Sequence, residues 1–418
     1  MNTPAGNAAG AADYLIIGAG IMGLSIAREL LHSEPRAKIV VLEKEVAVGL
    51  HASGRNSGVL HSGIYYPQGS LKAQVCLQGA RLMAAYCEEH RLPLNRLGKV
   101  ILPVKPDDQA ALTLLHERAR ANGARVQMFD ANELRDIEPE AYTATGQALF
   151  SPETAVVDPL AIVQHLYFSL ERQGVVFHFN CKGLSIDTQR QQIHTQAGCL
   201  SYGYLFNTAG LFADKIAERC GLDKRYVLLP FKGFYYEVAK HSDLTLNHLI
   251  YPVPDMNVPF LGVHFTKSIS GKIYIGPTAI PAFGRENYRG WQGANLSELL
   301  KTMTLLGQHY YANRQGFRTY THQEVPRLFK SRFLSAARSL VPRLRSNDVL
   351  RSKKVGIRAQ LYDQQKKELV MDFLISTTKN ETHVLNAVSP AFTSAFSFAK
   401  MVVNEKERHQ AELIKESR

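Results

Sequence analysis

Gly18-Ala19-Gly20-Ile21-Met22-Gly23 places three glycines at G-x-G-x-x-G spacing directly after the apolar run Tyr14-Leu15-Ile16-Ile17. In such a strand–turn–helix the first glycine permits the turn. The second lets backbone approach a pyrophosphate, and the third lets the helix pack close to the strand. The free N–H groups of the helix start, at Ile21 and Met22, suit a diphosphate charge. A second apolar run, residues 39–42, ends in Glu43 and Lys44. Glu43 lies about 20 residues past the last glycine, where a carboxylate accepts ribose hydroxyls. Instead of another helix and strand, a loop of small and polar residues follows, GLHASGRNSGVLHSGIYY from Gly49 to Tyr66. That composition suits backbone wrapping along a second, longer ligand rather than a packing element. His51, Ser53, Arg55, Asn56, Ser57 and Gly58 can meet a ribityl chain, a diphosphate and an isoalloxazine edge. FAD is therefore favoured over NAD, and no residue pattern points to a metal.

Positioning these residues takes a sheet assembled from separated pieces. Apolar residues at helical spacing predict a helix over 70–92, a strand over 98–104, a helix over 107–122 and a strand over 126–129. Asp130 is a good N-cap, and Asp158-Pro159 repeats the logic with proline at the first helical position, opening a helix to about residue 172. Residues 175–187 read as a strand, and residues 204–207 as another, closing in the small-residue turn Thr208-Ala209-Gly210. Short runs rich in Tyr, Phe, Val and Ile between 228 and 281, broken by Pro and Gly, speak for an antiparallel sheet. Helices follow over 295–311 and 322–342, strands over 355–361, 369–375 and 383–387, and Ser389-Pro390 opens a final helix. The expected fold is α/β, a Rossmann-like FAD-binding domain interleaved with a substrate domain of mixed antiparallel sheet and helices. Residues 1–12 form a disordered leader. Residues 13–80, 150–225 and 355–418 make the FAD-binding domain, and 81–149 and 226–354 the substrate domain.

At 418 residues the chain is long enough for two such domains. No apolar run approaches the roughly 18 residues that span a bilayer, and the first residues lack the pattern of a signal or transit peptide. The five scattered cysteines argue for a reducing compartment and against a disulfide framework or zinc site. The formal charge of +12 suits anionic substrates, an anionic membrane face or simply a basic solvated surface. No motif supports nucleic acid as a partner.

HASGRNSGVLHSGIYYPQGSLKAQVC resembles the corresponding stretch of the L-2-hydroxyglutarate dehydrogenase/oxidase family, FAD enzymes of the glycine oxidase and D-amino-acid oxidase superfamily. The resemblance continues through CGLDKRYVLLPFKGFYYEV, NHLIYPVPDMNVPFLGVHFTKSISGKIYIGPTAI, GIRAQL and NAVSPAFTSA, covering residues 13 to about 401. One departure is Arg55, where the family usually has His and the distantly related glycerol-3-phosphate dehydrogenases have Arg.

The resemblance implies oxidation of a 2-hydroxy diacid with hydride passing to FAD. That chemistry needs a cation for the carboxylate, a base for the hydroxyl proton, and a second anchor for the far carboxylate. Arg358 matches the family's G-x-R-A-Q arginine and is the expected carboxylate ligand; Lys232 matches a basic position and is the expected second anchor. His264 and His61 are rival bases, and Tyr66 is a wall or hydrogen-bond residue, as is Tyr65. Residues 175–187 are expected at the adenine end, Ala209 and Gly210 at the diphosphate and flavin, and a helix starting at Ser389, Pro390 and Ala391 at the flavin pyrimidine ring. His51 stands in an H-A-x-G context like that of relatives with covalent flavin, but noncovalent FAD is the reading adopted. An amino-acid or N-methyl-amine oxidase, or an assembly protein with structural FAD, is the alternative. Quinone or oxygen is the expected acceptor, reached from the cytoplasm. The basic stretch 327–354, with Phe329, Phe333, Leu334 and Leu340 interspersed, is the expected contact with an anionic inner membrane face.

Overall fold

The computed structural model describes residues 9–182, 185–196, 198–256 and 261–416. The apolar run ending in the glycine fingerprint is the central strand of an eight-stranded sheet. Ala9–Ile17 pairs in parallel with Ile39–Leu42 on one side and Gly198–Asn207 on the other. Val176–His178 continues the sheet outward, and Glu381–Val384 joins in parallel beside Gly198–Asn207. A parallel sheet of this kind is covered on both faces, so its strands read as continuous apolar runs. Leu15, Ile16, Val41, Leu205 and Phe206 are all fully buried. The helices Ile21–Ser33, Leu71–Glu89, Pro159–Arg172 and Ala395–Glu416 contribute to the core cluster on one face.

The second sheet has ten strands. Its axis is the antiparallel pairing of Tyr226–Val238 with Val349–Asp363, which places Phe231 opposite Arg358. Ile273–Gly276, His264–Lys267 and Leu249–Pro252 extend it, and Leu249–Pro252 then pairs in parallel with Lys99–Leu102. The fold is thus the expected α/β architecture, a parallel nucleotide-type sheet interleaved with a mixed one. Both helix starts read from the sequence are capped: Asp130 forms a full capping box with Glu133, and Asp158 accepts from the backbone of Leu160 and Ala161.

Several expectations need correction. Residues 1–8 of the expected leader lie outside the described residues, but 9–12 belong to the central strand. The expected strand over 175–187 is two short strands in different parts of the sheet, with 183–184 outside the described residues, as are 257–260 of the β-rich stretch. The helix expected over 322–342 is broken into Phe317–Glu324 and Lys330–Arg338 by a 3-10 turn, Val325–Leu328, at Pro326, whose ring provides no N–H to continue the ladder. Residues 369–375 hold only the ends of two short strands. The division expected at 354/355 falls inside one unbroken strand, Val349–Asp363. Ser389-Pro390 does not open a helix: residues 389–394 are turns and the helix begins at Ala395. Thr393 donates to the carbonyl of Val59 and accepts from the His61 N–H, which ties this segment to the loop instead.

Candidate active site

A cavity of about 640 Å³ runs from the glycine fingerprint to the ten-stranded sheet. Gly18, Gly20, Ile21, Met22, Glu43, Lys44, His51, Ser53, Arg55, Asn56, Ser57, Ala209, Gly210, Ser389, Pro390 and Ala391 all line it. Gly23 and Gly58 do not, because their role is close packing. A Cβ on Gly23 would stand 2.0 Å from the Gly18 carbonyl oxygen, and one on Gly58 2.5 Å from that of Val157. The helix Ile21–Ser33 has Gly20 at its N-cap, a residue with no side chain to cap it, and its first turn holds no acid. Its positive end is therefore open to an anion. Ser53 Oγ accepts from the Ile21 N–H at 2.9 Å, fixing the loop to that helix start. Glu43 accepts from the backbone of Ala19 at 2.9 Å, holding the turn at the end of its strand.

At the mouth, the segment after Ala282 is strapped to the loop. Lys44 donates to Glu45 and pairs with Glu286, while His51 Nδ1 lies 2.9 Å from the Tyr288 hydroxyl. Arg55 stacks over the Tyr288 ring at 4.3 Å and donates to the Leu50 carbonyl. Burial raises the Glu45 carboxyl, but hydrogen bonds from Lys44 and His51 outweigh it and bring it to about 2.

The inner end is built by strand alternation. Phe231, Gly233 and Tyr235 line the cavity, so Lys232 between them faces the other way. Lys232 Nζ donates to the Asn287 carbonyl and to its side-chain oxygen at 2.6 Å, and the expected second anchor is thereby displaced from the wall. Tyr66 also stands off the wall, beside Lys72. Arg358, His264 and His61 do line it. Burial makes the Arg358 guanidinium less basic than usual, yet it remains a cation. His264 is buried, with Nδ1 2.8 Å from the Gly262 carbonyl oxygen and its ring stacked at 4.0 Å on Tyr251. That bond assigns the proton to Nδ1 and leaves the Nε2 lone pair as an acceptor. Burial pushes its pKa down to about 4 against the opposing Gly262 bond, with Lys99 and Arg358 adding. Burial likewise takes His61 to about 3, helped by Lys99, His264 and Arg358. Both imidazoles are neutral at neutral pH.

Tyr235, Tyr251, Tyr320 and Glu324 also line this end. The alternation from Phe231 to Tyr235 is a signal that could have revealed Tyr235; the others come from strands and helices distant in sequence.

Residues 13–405 match the family described as FAD dependent oxidoreductase. The chain belongs to that family. It is 36% identical to an L-2-hydroxyglutarate dehydrogenase of Indibacter alkaliphilus, over 93% of this chain and 97% of the relative. It is 35% identical to the enzyme of that name from Escherichia coli strain K12, over 94% and 92%. Among solved structures, the FAD-bound L-alpha-glycerophosphate oxidase of Mycoplasma pneumoniae shares the fold at a TM-score of 0.73, with 20% identity and 95% of both chains covered. The chain is accordingly an FAD-dependent oxidoreductase of the L-2-hydroxyglutarate dehydrogenase group. Its own residues fit the cofactor: a helix start with no acid in its first turn, a turn in which a Cβ on Gly18 or Gly23 would strike backbone, and a cavity continuous from there to Arg358.

Proposed function

We propose that this protein oxidises L-2-hydroxyglutarate to 2-oxoglutarate. The observation that carries the reading is the pairing, in one cavity with the dinucleotide cradle, of a cation and a neutral base: Arg358 and His264. Arg358 holds the carboxylate next to the reacting carbon, its planar fork matching two oxygens. His264 Nε2 accepts the hydroxyl proton, oriented by the Gly262 carbonyl and the Tyr251 ring. His61 is the rival base. Tyr235, Tyr251 and Tyr320 exclude water around the carbon. FAD, when bound, supplies the hydride acceptor at N5. Anaerobic titration provides the test: L-2-hydroxyglutarate is expected to bleach the flavin band, and its D form, glycine and sarcosine are not. Bleaching by the amines would make the protein an amine oxidase, and bleaching by none would leave the FAD structural.

For reoxidation we propose a quinone met at an anionic membrane surface by a cytoplasmic protein. No described helix is long and apolar enough to cross a membrane. The expected basic stretch is a poor contact. Phe333, Leu334 and Leu340 are in the core, Arg343 pairs with Glu140 and Asp243, and Lys354 lies over Tyr274. A better face is the outer side of Leu296–Ala312, where Leu296, Leu300, Met303 and Tyr311 are exposed at helical spacing. Trp291, 77% exposed and stacked on Phe283, leads into it between the exposed Arg289 and the helix's Lys301. Apolar side chains with aromatic and basic flanks suit a lipid interface. The same segment carries Glu286 to the cavity wall. Sedimentation with anionic vesicles at low salt, release at high salt, and loss of binding in a Trp291→Ser, Leu300→Ser double variant are expected. A protein that ignores vesicles and turns over rapidly with oxygen alone would be a soluble oxidase.

A further inference from the structure

Lys99 is fully buried at the start of the strand Lys99–Leu102, and its Nζ has no hydrogen-bond partner among the described residues. It lies 4.6 Å from the centre of the Tyr65 ring and 5.2 Å from that of Tyr251. Tyr251 is a wall residue of the cavity and stacks on His264, so the ammonium stands one aromatic ring behind the substrate end. A lysine without a hydrogen-bonding protein partner is among the most costly groups to enclose, and it persists only where something offsets the cost. No carboxylate figures among the groups that shift Lys99, His61 or His264: Lys99 has beside it the Cys76 thiol, which burial pushes up to about 12 and so keeps neutral, and His61 and His264 both feel Lys99 and Arg358. Glu324, the carboxylate at this end of the cavity, is paired with Arg327, so Lys99 and Arg358 leave an excess of positive potential directed at whatever binds there. Lys232, the alternative second cation, is engaged by Asn287 on the opposite side of its strand.

We infer that Lys99 is the charge-selecting residue of the site: its ammonium, acting through Tyr251 and His264, favours a ligand with two carboxylates over one with a single carboxylate. The inference rests on the reading of the substrate as a 2-hydroxy diacid and names the residue that distinguishes it from a monoacid. Burial lowers the Lys99 pKa to about 7. Binding of a dianion stabilises the protonated form, so diacid binding takes up a proton. The sign follows: diacid affinity is greatest below pH 7 and falls as pH rises through the neutral range. The limiting slope is about tenfold per pH unit, since one pKa unit corresponds to a tenfold change. Monoacid affinity, anchored by Arg358 alone, stays much flatter.

The test is binding to the FAD-loaded oxidised enzyme, read from the perturbed flavin spectrum between pH 6 and 9, with 2-oxoglutarate against 2-oxobutyrate. In the unaltered protein the Kd ratio of the two ligands is expected to shift steadily against the diacid as pH rises. Parallel profiles would overturn the inference without any variant being made. Lys99→Met, of similar volume and no charge, is expected to retain FAD and to lose the pH dependence. Its 2-oxoglutarate Kd should rise about tenfold or more, with that of 2-oxobutyrate little changed. An equal loss for both ligands would assign Lys99 a structural role only. If L-2-hydroxyglutarate fails to bleach the unaltered enzyme, the functional reading fails. If bleaching occurs and the profiles are parallel, only the role of Lys99 does.

Discussion

Arg358→Ala is expected to raise the KM for L-2-hydroxyglutarate by roughly 30- to 1000-fold, with flavin content unchanged. Loss of a charge-assisted pair with an enclosed carboxylate costs about 2–4 kcal/mol, and each 1.4 kcal/mol is tenfold. The position cannot easily compensate. Arg358 sits in the middle of a strand paired residue by residue with Tyr226–Val238, so no neighbouring side chain can swing into its place. Arg358→Lys should recover part of the loss, because a lysine keeps the charge but not the two-pronged geometry. Steady-state KM with the flavin-to-protein absorbance ratio is the measurement. An unchanged KM would remove Arg358 from substrate binding.

His264→Ala is expected to slow anaerobic flavin reduction by roughly 10²- to 10⁴-fold, the usual contribution of a positioned general base, with little change in substrate affinity. The pH dependence carries a second signature. A base with a pKa lowered to about 4 is active once deprotonated. The unaltered enzyme should therefore gain rate as pH rises through about 4 and show no histidine limb near the ordinary value of 6.5. Stopped-flow reduction in the variant should lack the acidic limb. Retention of both rate and limb would transfer the role to His61, whose imidazole burial has also made weakly basic.

How much of this was legible in the chain depends on how local the physics is. The fingerprint glycines, Glu43 and the polar loop could be read because a turn, a helix start and a strand end are decided within about 30 residues. The caps at Asp130 and Asp158 were readable for the same reason: each side chain satisfies N–H groups two and three positions away. Ser389 carries the same local signal as Asp158, yet hydrogen bonds between Thr393 and a loop over three hundred residues distant claim that segment for the cavity wall. Lys232 was misplaced because its neighbours in sequence were read without the two-residue period of the strand. Lys99 gave no signal. A lysine is solvated by default, and only the packing of Tyr65 and Tyr251 around it reveals the enclosed charge.

The central strand Ala9–Ile17 has one early neighbour, Ile39–Leu42, and one much later, Gly198–Asn207, which itself waits for Glu381–Val384. The helix Ala395–Glu416 then anchors back on the first strand through Lys406, whose Nζ meets the Tyr14 hydroxyl at 2.8 Å. For a chain emerging from the ribosome, this order sets a timetable. The glycines that cradle the diphosphate are made first, but residues 384–393, which complete the cavity, are made about 370 positions later. Flavin loading must therefore follow synthesis of almost the whole polypeptide. Until then the unpaired edge of the first strand is exposed to aggregation. Cellular FAD supply, by pulling the late segments into place, should set the yield of folded protein as well as its activity.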